Sequence, residues 1–123
     1  WELTNMRMSP TGDRIAYFYL CNLSIYNTEI TITHTLPRFV VENLLLTPTN
    51  VGVNDVAWSH DGTKLAVQFS YKQIVVWDTW TWGKLHTFEF IGVGHEVSFS
   101  TTDKHVVCVA REETVYKITA FAL

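Results

Sequence analysis

The chain has 123 residues, of which 47% are hydrophobic and 17% charged, and its formal net charge is −3. This composition excludes an intrinsically disordered chain. The nine Lys and Arg residues are scattered, so we expect no direct nucleic-acid partner. No apolar stretch is long enough to span a bilayer as a helix, so we expect no membrane span. Aromatic residues make up 14% of the chain, and Val, Ile and Thr recur throughout, which predicts strands.

Three similar segments follow one another along the chain. Residues 8–17 (MSPTGDRIAY), 58–67 (WSHDGTKLAV) and 99–108 (FSTTDKHVVC) each place an apolar residue and a serine before a polar turn and a second apolar run. In the third segment Asp103 takes the place of the turn glycine. The three serines lie 50 and 41 residues apart, and an apolar-aromatic-polar run (LSIYNT, VVWDT, TVYKIT) follows each turn. Because the turn and the apolar-aromatic-polar run recur together three times, they indicate an internal repeat.

The middle unit shows the predicted strands most clearly. A turn at residues 60–63 contains a glycine, which accepts a positive φ at no steric cost. A second turn is expected at residues 70–72, and Asp78 opens a loop that ends at Gly83. The four predicted strands are Asn54–Trp58, Lys64–Phe69, Gln73–Trp77 and Leu85–Phe90. Four short antiparallel strands in 40–45 residues are typical of one β-propeller blade.

The sequence resembles the WD40 repeat family, most strongly from Val56 to Phe88. The Trp77-Asp78 pair stands where the family has its Trp-Asp, whereas the first unit has Tyr26-Asn27 and the third has Tyr116-Lys117. The Gly-His pair of the family is missing upstream of the first strand. We therefore expect that the polar network of regular members does not form, and that apolar packing mainly holds the units together. Trp77 is expected to pack between blades and Asp78 to turn the chain.

The resemblance implies an all-β fold, a partial β-propeller of about three four-stranded antiparallel WD40-like blades. The whole chain, residues 1–123, would be a segment of one propeller domain. Three blades do not ordinarily close a ring, so we expect the remaining blades to lie elsewhere in a longer chain or in another subunit. The expected blades are blade 1 at about 1–48, blade 2 at about 49–91 and an incomplete blade 3 at about 92–123.

The long first interval points to an insertion near residues 36–53. If Ile30–Thr35 is the fourth strand of the first unit, an extra apolar element containing Phe39 and Leu44 follows it and is a candidate docking segment. Alternatively, the apolar stretch is itself that fourth strand, reached through a longer loop.

The sequence carries no motif for catalysis. It has no phosphate-binding glycine loop or nucleophile elbow, and its five histidines lack metal-ligand spacing. We predict no catalytic residue, no metal, no cofactor and no small-molecule substrate. The one polar group of interest is His95 and Glu96 near Asp103 and His105. The basic residues Arg14, Lys64 and Lys104 follow the three turns, where we expect solvated charges. Cys21 and Cys108 are expected to be buried, reduced thiols.

Trp80 and Trp82 flank Thr81 in the loop after Asp78, where the WD40 family usually has small or polar residues. An exposed tryptophan in a loop is a candidate interface residue. The alternative is that one or both pack against the next blade.

These features predict a non-catalytic WD40-like scaffold that binds other proteins in a larger intracellular complex, cytoplasmic or nuclear. Two alternatives remain open. The segment at 9–18 (SPTGDRIAYF) also resembles TolB-type repeats, which would suit a propeller that supports an enzyme. The second alternative is that the chain forms a half-ring, which another subunit completes.

Overall fold

The computed structural model describes residues 4–19, 22–27 and 52–123, and every regular element among them is a β-strand. They form three antiparallel sheets, each in the order of the chain. The first sheet contains β1 (Thr4–Met8), β2 (Arg14–Tyr19) and β3 (Asn22–Asn27). The second contains β4 (Val53–Trp58), β5 (Lys64–Phe69), β6 (Gln73–Asp78) and β7 (Lys84–Glu89). The third contains β8 (Val93–Phe99), β9 (His105–Glu112) and β10 (Val115–Ala122).

The all-β prediction is confirmed, and the four strands expected in the middle unit are present with bounds that differ by one residue at most. Phe39, Leu44 and Cys21 lie outside the described residues. The same holds for Ile30–Thr35 and most of the insertion, so both alternatives for the fourth strand of the first unit stay open. No helix among the described residues is long and apolar enough to cross a membrane.

The three turns that define the repeat have the same backbone hydrogen bonds. Ser9, Ser59 and Ser100 each donate their amide to the carbonyl of the residue five positions later, at 2.8 to 3.0 Å. Each serine hydroxyl accepts a hydrogen bond from the amide of that same residue, at 2.9 to 3.1 Å. The turn residues Gly12, Gly62 and Asp103 have φ values of 76°, 77° and 59°. Asp103 therefore replaces the glycine in its left-handed conformation, as the alignment predicts.

Two apolar clusters hold the sheets together. Residues of β2 and β3 pack against one face of the second sheet, where Trp77 is 1% exposed. Alternate residues on the other face of the second sheet, including Ala66, Ile74 and Val76, pack against β8 and β9. Because it is covered on both faces, the second sheet is buried along nearly all of β5 and β6. Trp77 thus packs between sheets as predicted, and Cys108 is a buried free thiol in the second cluster.

Candidate functional site

The loop from Asp78 to Gly83 places the candidate tryptophans. Oδ1 of Asp78 accepts hydrogen bonds from the amides of Trp80 and Thr81, at 2.8 and 2.9 Å. These bonds lower the pKa of Asp78. Its own amide donates to the Gly83 carbonyl at 2.9 Å, and its carbonyl accepts from the Trp82 amide at 2.8 Å. Asp78 therefore turns the chain, as predicted, and fixes the backbone of the loop that contains both tryptophans.

The structure separates Trp80 from Trp82. Trp80 is 75% exposed, whereas Trp82 is 9% exposed and belongs to the apolar cluster between the first and second sheets. The indole of Trp82 is used in packing, which is the alternative expected for one or both tryptophans, and its binding to a partner stays a prediction. Trp80 and Trp82 are the same residue type two positions apart in one loop, so the sequence does not tell them apart. Trp82 has a left-handed φ of 58°. Trp80 is the described candidate that remains available to a partner.

Arg14 lies directly beneath this loop, at the junction of the first and second sheets. Its Nη1 donates to the Thr79 carbonyl at 2.7 Å. Its Nη2 donates to the Thr79 hydroxyl at 3.2 Å and to the Gly62 carbonyl at 3.4 Å. The side chain is 9% exposed, so the expectation of a solvated charge is wrong for Arg14. The reason is that the neighbouring sheet offers oxygen acceptors to its guanidinium, which local sequence does not reveal.

The other two basic residues differ from Arg14. Lys64 is half-buried and Lys104 is exposed. The turn hydrogen bonds place His105, not Lys104, at the position equivalent to Arg14 and Lys64. The three units therefore share a backbone turn without sharing a charged site.

The guanidinium of Arg14 lies over two indole rings. Its Cζ is 5.0 Å from the ring centroid of Trp58 and 5.1 Å from that of Trp80. Trp58 is itself fixed, because its Nε1 donates to the Arg7 carbonyl at 2.9 Å. Burial lowers the pKa of Arg14, but a guanidinium remains protonated at neutral pH. Trp80 thus has a buried cation against one face and solvent on the other.

Three carboxylates occupy the turns that meet at Arg14. Hydrogen bonds from Thr11 and Ser9 lower the pKa of Asp13. Hydrogen bonds from Ser59 and Thr63 lower the pKa of Asp61 to about 2. With Asp78, they place three negative charges beside the two positive charges of Arg14 and Lys64.

A second polar contact joins the turns of the second and third sheets. The Asp103 carboxylate accepts hydrogen bonds from the amides of His60 and Asp61, at 2.9 and 3.0 Å, and lies 2.9 Å from Nδ1 of His60. Burial works to raise the pKa of Asp103, but these hydrogen bonds outweigh it and leave the pKa below its usual value.

The polar cluster suggested by the sequence is not assembled. Asp103 faces His60, whereas the ring of His95 packs at 5.1 Å against that of Tyr116. No group of three or more His, Cys, Asp or Glu within the described ranges is arranged to hold a metal ion.

Asp55 connects the first strands of all three sheets. Its Oδ1 accepts from Nη2 of Arg7 at 3.0 Å and its Oδ2 from the Val97 amide at 3.0 Å. Burial raises the pKa of Asp55 despite these bonds. A cavity of about 350 Å³ opens beside it, lined by residues of β1, β4 and β8. The expectation that apolar packing mainly holds the units together is therefore incomplete, since each junction also has a polar contact.

A smaller cavity of about 270 Å³ lies between the second and third sheets. Phe90, Cys108 and Phe121 line it, together with the ion pair of Lys117 and Glu112. Its lining contains no convergent set of groups suited to catalysis.

Neither a protein-family model nor a curated protein sequence matches the chain. Solved structures do. The β-propeller domain of Cps50 (Swd1) from Myceliophteria thermophila aligns with 96% of this chain and 38% of its own length, at 14% identity and a TM-score of 0.66. A chain of the mitotic checkpoint complex aligns with 86% of this chain and 29% of its own length, at 20% identity and a TM-score of 0.69. This chain thus spans well under half the length of either structure. The architecture that these structures share with it, and the repeated turns, show that the chain has the fold of a partial WD40-like β-propeller.

Proposed function

We propose that this chain is part of a non-catalytic scaffold that binds other proteins within a larger intracellular assembly, in the cytoplasm or the nucleus. The observation that carries the proposal is the state of Trp80, which is 75% exposed although its backbone and one ring face are held in place. A large apolar side chain that is already ordered loses little conformational entropy on binding. Such residues are frequent among the side chains that dominate protein interfaces.

The fold supports this role without adding a chemical activity. The second sheet, which is packed on both faces and joined to its neighbours by polar contacts, forms a rigid support for the loop that carries Trp80. One of the similar solved structures is a chain of a multiprotein complex, as its name states. Among the described residues, no specific observation favours the alternative in which the propeller supports an enzyme. Fold likeness says little about the partner itself.

The test is quantitative affinity purification of the full-length protein with Trp80→Ala and with a matched control. Ile91→Ala is suited as the control, since Ile91 is 73% exposed but belongs to the connection between the second and third sheets. We expect Trp80→Ala to lose at least one stoichiometric partner that Ile91→Ala retains. Co-purification of the same partners in the same amounts by both variants and the native protein would contradict the role of Trp80.

Trp82 is unsuited to this test, because replacing its buried indole would disturb the fold. The separate prediction that Phe39 and Leu44 form a docking segment remains open. It is tested in the same purification by Phe39→Ser and Leu44→Ser, each compared with the native protein for thermal stability. Loss of a partner at unchanged melting temperature is the result expected if the segment docks a partner.

A further inference from the structure

The two faces of the Trp80 ring differ in chemistry, and this difference restricts what a partner can place there. The inner face lies over the Arg14 guanidinium, 5.1 Å from its Cζ. The outer face belongs to a side chain that is 75% exposed. An aromatic ring attracts a cation through the negative charge concentrated on its faces. A cation already bound to one face draws that electron density toward itself and leaves the other face less negative.

This polarisation is permanent, because Arg14 cannot move away from the ring. Its Nη1 is 2.7 Å from the Thr79 carbonyl, and the centroid of a second indole, that of Trp58, lies 5.0 Å from its Cζ. The guanidinium is therefore held against the inner face of Trp80, and the outer face of that ring lies in solvent. A second cation on that face would meet a depleted ring and the repulsion of Arg14. Lysine and arginine side chains are accordingly disfavoured as the group that covers it.

An acidic side chain is disfavoured for a different reason. Asp78 accepts a hydrogen bond from the Trp80 amide at 2.8 Å, so one carboxylate lies beside the backbone of Trp80. Asp13 and Asp61 belong to the turns next to Arg14, and the Gly62 carbonyl, adjacent to Asp61, accepts a hydrogen bond from that guanidinium. These three carboxylates outnumber the two neighbouring cations, Arg14 and Lys64, so an incoming carboxylate gains no net attraction.

A neutral aromatic ring meets neither objection. Its own negative face is attracted to an electron-poor face, and offset stacking buries a large apolar area on both rings. We propose that the outer face of Trp80 binds an aromatic side chain, Tyr, Phe or Trp, of a partner protein, opposite the Arg14 guanidinium on the inner face. The inference rests on the proposed scaffold function, since it names the chemical group that the partner contributes.

The experiment uses small probes, so that no partner has to be identified. The full-length protein is labelled with 5-fluorotryptophan, and the ¹⁹F signal of Trp80 is assigned by its disappearance in Trp80→Phe. N-acetyl-tyrosinamide and N-acetyl-lysinamide are then titrated separately at millimolar concentrations, because one aromatic pair contributes only about 0.5–1.5 kcal/mol beyond its buried area. We expect N-acetyl-tyrosinamide to shift the Trp80 signal with saturation and to leave the signals of buried Trp77 and Trp82 unchanged.

The lysine probe supplies the discriminating result. We expect N-acetyl-lysinamide to give no shift at Trp80 beyond that of the same concentration of sodium chloride. In Arg14→Met, which removes the charge under the ring, we expect the lysine probe to shift Trp80. If that variant does not fold, the comparison of the two probes on the native protein decides the matter. Equal shifts with both probes, or no shift with either, would overturn the inference.

These outcomes are distinct from failure of the scaffold function. A Trp80 signal insensitive to the tyrosine probe, combined with loss of a partner in Trp80→Ala, would overturn the aromatic preference and leave the scaffold intact. A shift with the tyrosine probe, combined with unchanged partners in Trp80→Ala, would support the chemistry of the ring face and contradict its use in partner binding.

Discussion

Arg14 is the residue whose replacement tests the junction between the first two sheets most directly. Arg14→Ala removes three hydrogen bonds, of which the one to the Thr79 carbonyl, at 2.7 Å, has the best geometry. Hydrogen bonds to a charged group contribute about 1.5–3 kcal/mol each, and the contacts with two indoles contribute on the order of 1 kcal/mol. Relief of the desolvation cost of the guanidinium offsets part of this loss. We therefore expect the free energy of unfolding to fall by about 2–3 kcal/mol.

The repeat provides the matched control. Lys64 occupies the equivalent position in the second sheet, with the same turn hydrogen bonds, but it is half-buried. We expect Lys64→Ala to change the free energy of unfolding by less than about 0.5 kcal/mol, as for most surface substitutions. Arg14→Lys should lie between the two, because a single ammonium cannot reproduce the planar fork of donors.

Urea unfolding of the full-length protein, followed by tryptophan fluorescence, measures all three variants against the native protein. A lower midpoint at an unchanged slope reports a loss of stability rather than a change in the unfolding transition. Equal losses for Arg14→Ala and Lys64→Ala would refute the reasoning, since both would then act through the turn they share. Native stability in Arg14→Lys would show that charge alone, and not the donor geometry, is what the junction uses.

Three further substitutions test other parts of the structure. Trp82→Ala should reduce the free energy of unfolding by about 3–5 kcal/mol, whereas Trp80→Ala should cost less than about 1 kcal/mol; calorimetric melting of both variants checks the assignment of one buried and one exposed indole. The folded pKa of Asp61, about 2, is below its ordinary 3.8, so its contribution to stability is complete above the ordinary value and is lost as pH falls through the folded value. Asp61→Asn should therefore flatten the decline of melting temperature with pH in that window, and an unchanged decline would contradict it. A Cβ at Gly94 would lie 2.8 Å from Oε1 of buried Gln68, so Gly94→Ala should destabilise the fold by about 1–3 kcal/mol, and a native melting temperature would show that Gln68 can move aside.

The strands of the second sheet and the three turns were predictable from the sequence because the signals for them are local. A serine, a polar turn and a residue that accepts positive φ specify the same tight connection in each unit, and Asp103 shows that the position can be recognised even without glycine. The burial of Trp77 was predictable for a similar reason. It belongs to an apolar run between turns, and such a run is expected to be buried.

The partners of the polar residues were not predictable, because they come from distant parts of the chain. The Arg14 guanidinium bonds to a residue 65 positions away, and the Asp103 carboxylate to one 43 positions away. Neither partner can be inferred from the repeat, since the residue equivalent to Arg14 in the second unit is a half-buried lysine, Lys64, and the residues equivalent to Asp103 are glycines, which have no side chain. Which of Trp80 and Trp82 is exposed was left open by the sequence for the same reason. It depends on which indole faces the first sheet.

The different polar contacts at the junctions also bear on how the sheets keep their order. Faces composed of Val, Leu and Ile pack against one another with little selectivity, because dispersion and hydrophobic burial are not directional. A buried guanidinium is tolerated only where the neighbouring sheet supplies hydrogen-bond acceptors, as the Thr79 and Gly62 carbonyls do for Arg14. The buried Asp55 carboxylate likewise needs Arg7 on one side and the Val97 amide on the other. Any other pairing of sheets would leave one of these charges buried without a partner, at a cost of several kcal/mol. The sheets are therefore not interchangeable, although the regular polar network of WD40 repeats is not expected here. Each junction has its own polar contact, which fits only one neighbouring sheet.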